Sequence, residues 1–222
     1  MNSSCQRIIN QMLAQCPDHR GAQGALECLL QTVPEESTGI LASDATAREG
    51  LVNLCLYSSP LACSLARDFE SVLRLFQNNE LRRAKDRMVI ETELSSTLQD
   101  ADSLEKIHRG IRRYRHYALS RLAIRDLCGL ASLEDIMREL SDLAAASLNR
   151  AMLWCFRWLT GRHGQPAGLT GTADRTGFAV IGMGKLGGHE LNFCSDIDLI
   201  YIYQAPPRGQ EMTPGGTGAP LH

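Results

Sequence analysis

The chain has 222 residues, 44% of them apolar and 22% charged, an ordinary make-up for a globular protein of one or two domains. Its formal net charge of −2 excludes the bulk pull towards nucleic acid or an anionic membrane that a strongly basic protein exerts. No apolar run reaches the roughly 18 residues that cross a bilayer, and residues 1–11 lack the apolar stretch of a secretory signal, so a cytoplasmic protein without membrane or nucleic-acid partners is expected.

Residues 1–160 read as a helical region. Candidate helices cover 3–15, 22–32, 44–56, 60–77 and 79–98, with Pro34 and Pro60 marking breaks because proline cannot continue a helix interior. Ser103 is placed to cap a helix from Leu104 to about Leu127, whose Leu104, Ile107, Ile111, Tyr114, Ala118 and Leu122 recur at spacings of three and four. After the turn Cys128-Gly129-Leu130, Ser132 caps a longer helix with the stripe Leu133, Ile136, Leu140, Leu143, Ser147, Ala151, Trp154 and Trp158. Asp135, three after the cap, makes a capping box with Asp in place of Glu. Two helices joined by so short a turn are expected to pack antiparallel, with both tryptophans in the core stripe.

Two features of this region invite a functional reading and receive a structural one. The eight cysteines, Cys5, Cys16, Cys28, Cys55, Cys63, Cys128, Cys155 and Cys194, include no C-x-x-C pair and no histidine at finger spacing. Most fall in apolar helical stretches and are expected to be buried, reduced thiols. Lys106, Arg109, Arg112, Arg113, Arg115, Arg121 and Arg125 load the 104–127 helix with positive charge, either as a surface for anions or partners or as a solvated face; the solvated face is favoured, since such charges are usually exposed and contribute little. His108, His116 and His163 lack partners at useful spacing.

Composition changes at Gly161. Residues 161–177 read as a linker, Phe178-Ala179-Val180-Ile181 as a buried strand, and Gly182 to Gly188 as a glycine-rich turn. Residues 197–203 (IDLIYIY) read as a second strand, rich in β-branched and aromatic residues, and 204–222 as a loop or disordered tail. Gly182-x-Gly184-x-x-Gly187 has the form of a dinucleotide fingerprint, but only the eight residues His189 to Asp196 separate Gly188 from Ile197, too few for the crossover helix that parallel strands need. A phosphate-binding P-loop fails as well, because Leu186 follows Lys185 where Ser or Thr should stand.

The acids carry the better reading. Asp196 and Asp198, two apart at the start of a strand, project to one face, with Ile197 and Leu199 turned into the core. Two adjacent carboxylates repel when both are charged; a divalent cation removes the conflict, and Mg²⁺ prefers one or two carboxylates completed by phosphate oxygens and waters. Gly187 and Gly188 are expected to open a short helical turn whose free N–H groups receive phosphate and to approach it closely for want of a Cβ. Lys185 supplies a point charge beside that phosphate. Ser195 either donates to phosphate or caps the strand, while Glu190 and Asn192 hold the turn.

A strand, Gly-Gly, a short helix and then acids alternating with aliphatics on the next strand resemble the DNA polymerase beta-like nucleotidyltransferase superfamily. The stretch GMGKLGGHELNFCSDIDLI, from Gly182 to Ile200, is more specifically similar to the motif of the bifunctional glutamine synthetase adenylyltransferase/deadenylylase family, in the form of its N-terminal, adenylyl-removing half. IRRYRHYALSRLAIRDLCGLASLEDIMRELSDLAAASL, from Ile111 to Leu148, looks like the helical region ahead of that motif. The resemblance is specific over about 105–203.

It implies a mostly α fold with a small α/β part, in which an N-terminal helical bundle precedes the first strands of a nucleotidyltransferase domain starting at 178. It implies Mg²⁺ or Mn²⁺ held by Asp196 and Asp198, with Gly187, Gly188, Lys185 and Ser195 around an adenine nucleotide that is substrate or product. It further implies glutamine synthetase and the PII signalling protein as partners. His189 and Cys194 stand where the family more often has Arg and Ser. The family's third metal-binding acid lies on a later strand, several dozen residues on, whereas this chain ends 24 residues after Asp198 with Glu211 as the only acid between. Glu211 sits in a Pro/Gly-rich tail and is not a candidate, so the resemblance implies the front part of a longer enzyme, cut inside its catalytic domain.

Overall fold

A computed structural model describes Arg7, Asn10, Leu13, Ala14 and residues 19–31, 44–77, 79–164 and 177–203. The candidate helix at 3–15, apart from those four residues, and the tail at 204–222 lie outside the described residues, as do 165–176 of the expected linker. Among the described residues, seven helices with defined bounds precede the sheet: α1 His19–Gln31, α2 Ala45–Tyr57, α3 Ser59–Leu65, α4 Phe69–Leu75, α5 Arg87–Thr97, α6 Leu104–Leu127 and α7 Leu133–His163. Strand β1 Phe178–Gly182, a single turn of helix α8 Gly184–Gly187 and strand β2 Leu199–Tyr203 follow. The described chain is thus mostly helical with one small sheet.

Local chemistry sets most helix starts. Asp44 accepts the N–H groups of Thr46 and Ala47 at 2.9 and 3.1 Å, and Asp86 that of Val89 at 2.9 Å. Ser103 and Ser132 cap α6 and α7 as expected, and Ser132 both accepts the Asp135 N–H and donates its hydroxyl to the Asp135 carboxylate. At the other end of α6, Gly129 takes a left-handed φ of 62°, open to glycine without a Cβ penalty. Its N–H donates to Asp126 O and that of Leu130 to Arg125 O, the pair of bonds that satisfies the last carbonyls of a helix. The chain reverses there. Arg125 of α6 meets Glu139 early in α7, and Trp154 far along α7 donates its indole N–H to Ala101 ahead of α6, so the two helices run antiparallel.

Three helix boundaries differ from expectation. The 60–77 helix is split into α3 and α4, because Asp68 between them is held by Arg113 of α6 through bonds of 2.6 and 3.1 Å. The 79–98 helix begins only at Arg87; residues 79–86 form turns drawn inward by Glu80 and Lys85. Helix α7 continues through Gly161 to His163.

The core is apolar at its centre, with Leu26, Leu29, Leu51, Leu54, Leu65, Leu75, Leu94, Leu122 and Ile124 inaccessible or nearly so. Threaded through it is a network of charges. Arg121 and Arg125, read from sequence as part of a solvated face, are 1% and 2% exposed. Both bind Glu139, Arg125 at 2.7 Å, and Arg121 also binds the carbonyls of Glu80 and Arg83. Lys85 pairs with Glu80 and, at 2.9 Å, with Glu93; Tyr117 donates to Glu80 and Tyr114 to Glu93. Burial pulls the Lys85 ammonium below its usual range even against these carboxylates. Burial also pushes Glu93 up, but its bonds from Lys85 and Tyr114 outweigh that and hold it below the ordinary carboxylate value. The helical period places residues three and four apart on one face whatever their chemistry. Arg121 and Arg125 therefore share the face of Tyr114, Tyr117 and Leu122, and only their partners, Glu139 on α7 and the Glu80 and Arg83 carbonyls ahead of α5, make burial tolerable.

The cysteines also depart from expectation. The six described, Cys28, Cys55, Cys63, Cys128, Cys155 and Cys194, are free thiols, but only Cys55 is buried; Cys5 and Cys16 lie outside the described residues. Burial, with Cys63 and Cys28 nearby, pushes the Cys55 thiol up to about 12, and only the thiolate is nucleophilic. A thiol-specific disulfide reagent at pH 8 is therefore expected to label Cys28 and Cys63 rapidly and Cys55 only once denaturant unfolds the chain. Equal rates at Cys55 and Cys63 in the native protein would contradict this packing.

Candidate functional site

β1 and β2 pair antiparallel, Phe178 opposite Tyr203 and Gly182 opposite Leu199. That rules out a dinucleotide crossover here, which needs parallel strands. The ladder is prolonged by Met183, whose N–H donates to Asp198 O at 2.9 Å. The segment between the strands is anchored on the helices: Leu186 and Leu191 are buried in the helical core, and the Leu191 N–H donates to Ser141 Oγ of α7 at 3.2 Å. The sheet itself stands away from α7. A cleft of about 370 Å³ lies between Phe178, Val180 and Gly187 on one side and Ala145, Leu148 and Met152 on the other. The expected burial of β1 and of Ile197 is accordingly not found. Phe178, Ile181, Ile197, Ile200, Tyr201, Ile202 and Tyr203 are all exposed, and Leu199 is partly buried.

The acids fall just ahead of β2 rather than within it. Asp196, Ile197 and Asp198 have no regular structure and are exposed, and the strand begins at Leu199. Asp198 is tied to β1 through its carbonyl, which leaves its carboxylate free of that bond. Ser195 donates its hydroxyl to Asn192 Oδ1 and its N–H to Asn192 O. The turn immediately before the acids is thus closed by Ser195 and Asn192, and the strand-capping alternative for Ser195 gives way to a turn-closing one.

The glycines sit differently from expectation as well. Gly187 and Gly188 close the short helical turn instead of opening it, because α8 starts at Gly184. Their N–H groups are engaged, Gly187 with Met183 O at 3.2 Å and Gly188 with Gly184 O at 3.0 Å. The close approach at Gly187 is to the chain's own backbone: a Cβ there would lie 2.6 Å from Gly182 O. Gly187→Ala is expected to push α8 off the end of β1 at a cost of about 1–3 kcal/mol, the usual penalty of overpacking, read as a fall in the thermal midpoint. An unchanged midpoint would show that the turn relaxes freely. Lys185 is exposed on α8, and its carbonyl accepts the Glu190 N–H at 2.8 Å.

Sequence reasoning missed the support beneath the turn. Ser141 and Asp142 of α7 lie under residues 189–191. Asp142 is 8% exposed; burial raises its carboxyl above the ordinary value, opposed first by His189 and then by Arg87. His189 holds a left-handed φ of 56°, uncommon for a residue with a side chain. Nothing in local spacing signals a contact 50 residues long. The tryptophans are a further correction. Trp154 and Trp158 are half-buried and stack on each other with centroids 6.0 Å apart, and Arg162 lies 4.0 Å over Trp158.

Among the described residues, no group of three or more His, Cys, Asp or Glu is gathered closely enough to enclose a metal ion. Asp196 and Asp198 offer two hard carboxylates, open to solvent on a segment pinned at both ends. That donor set fits a hard divalent cation whose remaining positions are filled by water and phosphate oxygens.

Residues 48–216 match the family described as glutamate-ammonia ligase adenylyltransferase. The chain belongs to this family. Over 157 residues it is 36% identical to the bifunctional glutamine synthetase adenylyltransferase/adenylyl-removing enzyme of Thioalkalivibrio sulfidiphilus, covering 71% of this chain and 16% of the relative. The enzymes of the same name from Idiomarina loihiensis and Shewanella woodyi are 31% identical over 94% of this chain and 36% over 81%, covering 22% and 18% of their own lengths. The chain thus spans about a fifth of the length of the curated relatives it matches. The family match extends over α3 to α7, both strands and the acids between them. No described helix is long and apolar enough to cross a membrane.

Proposed function

We propose that this chain is the N-terminal, adenylyl-removing part of a glutamine synthetase adenylyltransferase, with Asp196 and Asp198 as its metal-binding carboxylates in a nucleotidyltransferase domain that begins at β1. The observation that carries the proposal is the pair of exposed carboxylates between a Ser195–Asn192 turn and a strand, inside a stretch that matches the family. Its substrate is the adenylyl-tyrosine of glutamine synthetase. An oxygen of inorganic phosphate forms a bond to the adenylyl phosphorus, the bond from that phosphorus to the tyrosine oxygen breaks, and the tyrosine oxygen takes up the proton that phosphate loses. ADP and unmodified glutamine synthetase leave. Asp196 and Asp198 would hold Mg²⁺ or Mn²⁺, and the bound ion would supply charge neutralisation for the phosphoryl transfer. Lys185, exposed on α8, adds a mobile positive charge for the phosphates, and the anchored turn from Gly187 to Leu191 keeps the acids in register with β1. The PII signalling protein is the proposed regulatory partner, and the cytoplasm the proposed location.

A second reading is favoured by one observation: among the described residues the sheet has only two strands and no third carboxylate joins the pair. On that reading the chain is a catalytically incomplete, helical protein-interaction part of the same enzyme. Release of ADP from adenylylated glutamine synthetase, given phosphate and Mg²⁺, separates the two. Metal-dependent release by this chain supports the first and removes the second. Silence from a folded chain that still binds glutamine synthetase supports the second.

A further inference from the structure

Away from the acids, an open groove of about 540 Å³ lies between the α3–α4 corner and α6, lined by Ser64, Arg67, Asp68, Glu70 and Ser71 on one side and by Arg109, Arg112, Arg113, His116 and Tyr117 on the other. Its charges are unevenly matched. Arg113 is committed to Asp68 and Glu70, at 2.6 Å each, and Arg109 to Glu105 one turn back on the same helix. Those pairs use up both acids of the lining. Arg67, Arg112 and the neighbouring Arg115 form no ion pair with any described residue; burial first, and then these three positive charges, hold the His116 imidazole below its usual range. Unpaired like charges facing one another from two elements are destabilising, and the field they create draws anions.

We infer that this groove is a binding site for a small phosphate-bearing anion of the diphosphate class, held by Arg67 and Arg112 beside His116. Guanidinium groups match phosphate oxygens in fork geometry. The volume falls within the roughly 300–1,000 Å³ of small-molecule sites, which favours a small ligand over the face of a folded partner. The inference is independent of the reaction proposed above, since none of the groove residues belongs to the segment that carries Asp196 and Asp198.

The test is calorimetric titration of the full chain with sodium pyrophosphate, with EDTA present so that no metal site contributes. Binding is expected in the unaltered chain and in Asp198→Asn. Arg67→Gln and Arg112→Gln are each expected to weaken it about tenfold or more, the loss of one charge-assisted contact, while Arg157→Gln on α7 leaves it unchanged. Occupancy should also raise the His116 titration midpoint seen by NMR, because the bound anion offsets Arg67, Arg112 and Arg115. Orthophosphate and metal-free ATP, titrated in parallel, distinguish a free inorganic ligand from a nucleotide. Absence of pyrophosphate binding, an equal loss in Arg157→Gln, or binding of poly-glutamate but not pyrophosphate would each overturn the assignment. The last outcome would point to an acidic protein segment instead.

Discussion

Replacing Asp198 by Asn is expected to lower phosphate-dependent ADP release from adenylylated glutamine synthetase on the order of a hundredfold or more, the loss typical of removing one key electrostatic stabiliser. Asn keeps the shape of the side chain and one oxygen, so the Met183 bond to the Asp198 carbonyl, and with it the register of β1 and β2, has no reason to change. What disappears is one of the two charges that, on the proposed reading, would hold a hard cation. Loss of Mn²⁺ binding in the same variant, followed by electron paramagnetic resonance, gives a readout that does not depend on turnover. Asp196→Asn should behave alike. Unchanged turnover and unchanged Mn²⁺ binding in Asp198→Asn would remove these acids from the mechanism.

Glu139→Ala is expected to be the most damaging single change to stability. Glu139 accepts from Arg121, Arg125 and the Lys85 backbone N–H within the core. Without it two buried guanidinium groups lose their shared carboxylate, a situation that costs about 3–5 kcal/mol. At roughly 2–4 °C per kcal/mol for a chain of this size, the thermal midpoint should fall by about 6–20 °C. Glu134→Ala, an exposed acid on the same helix, serves as the control and should change stability by no more than about 0.5 kcal/mol. A loss below about 1 kcal/mol for Glu139→Ala would mean that water reaches the arginines and that the network contributes little. Helix α6 thus has two electrostatic characters. Its C-terminal arginines are internal ties that fasten α6 to α7 and to the turns at 79–86, and its middle arginines face the groove with charge to spare.

Local rules made part of this legible. The caps at Ser103 and Ser132, the glycine stop at Gly129 and the antiparallel α6–α7 pair follow from spacing and backbone geometry, which act over a few residues. So did the failure of the dinucleotide fingerprint, since too few residues separate the two strands for a crossover. The candidate site rests on an equally local signal. D-x-D after a glycine turn is a local pattern, and the family match over 48–216 contains it.

What spacing could not give is which groups meet across the fold. The arginines of α6 are alike in sequence, yet Arg121 and Arg125 are buried and Arg112 exposed, because α7 brings Glu139 to one end of the helix and nothing comparable to its middle. The cysteines read as core residues from their apolar neighbours, but four of the six described are exposed and Cys128 is only partly buried, since apolar neighbours in sequence do not fix which face of a helix turns inward. Phe178 to Ile181 reads as a buried strand, but burial needs a second layer, and β1 and β2 stand across a cleft from α7. By itself the sequence determined the family and most of the helical elements, and it singled out the two acids as candidates, all properties of short stretches. Only the tertiary structure decided that Gly187 packs against the end of its own strand, that Ser141 and Asp142 carry the turn, and that Arg67 joins Arg112 in one groove. Each of these depends on contacts between residues far apart in the chain, where burial and pairing of charge outweigh local preference.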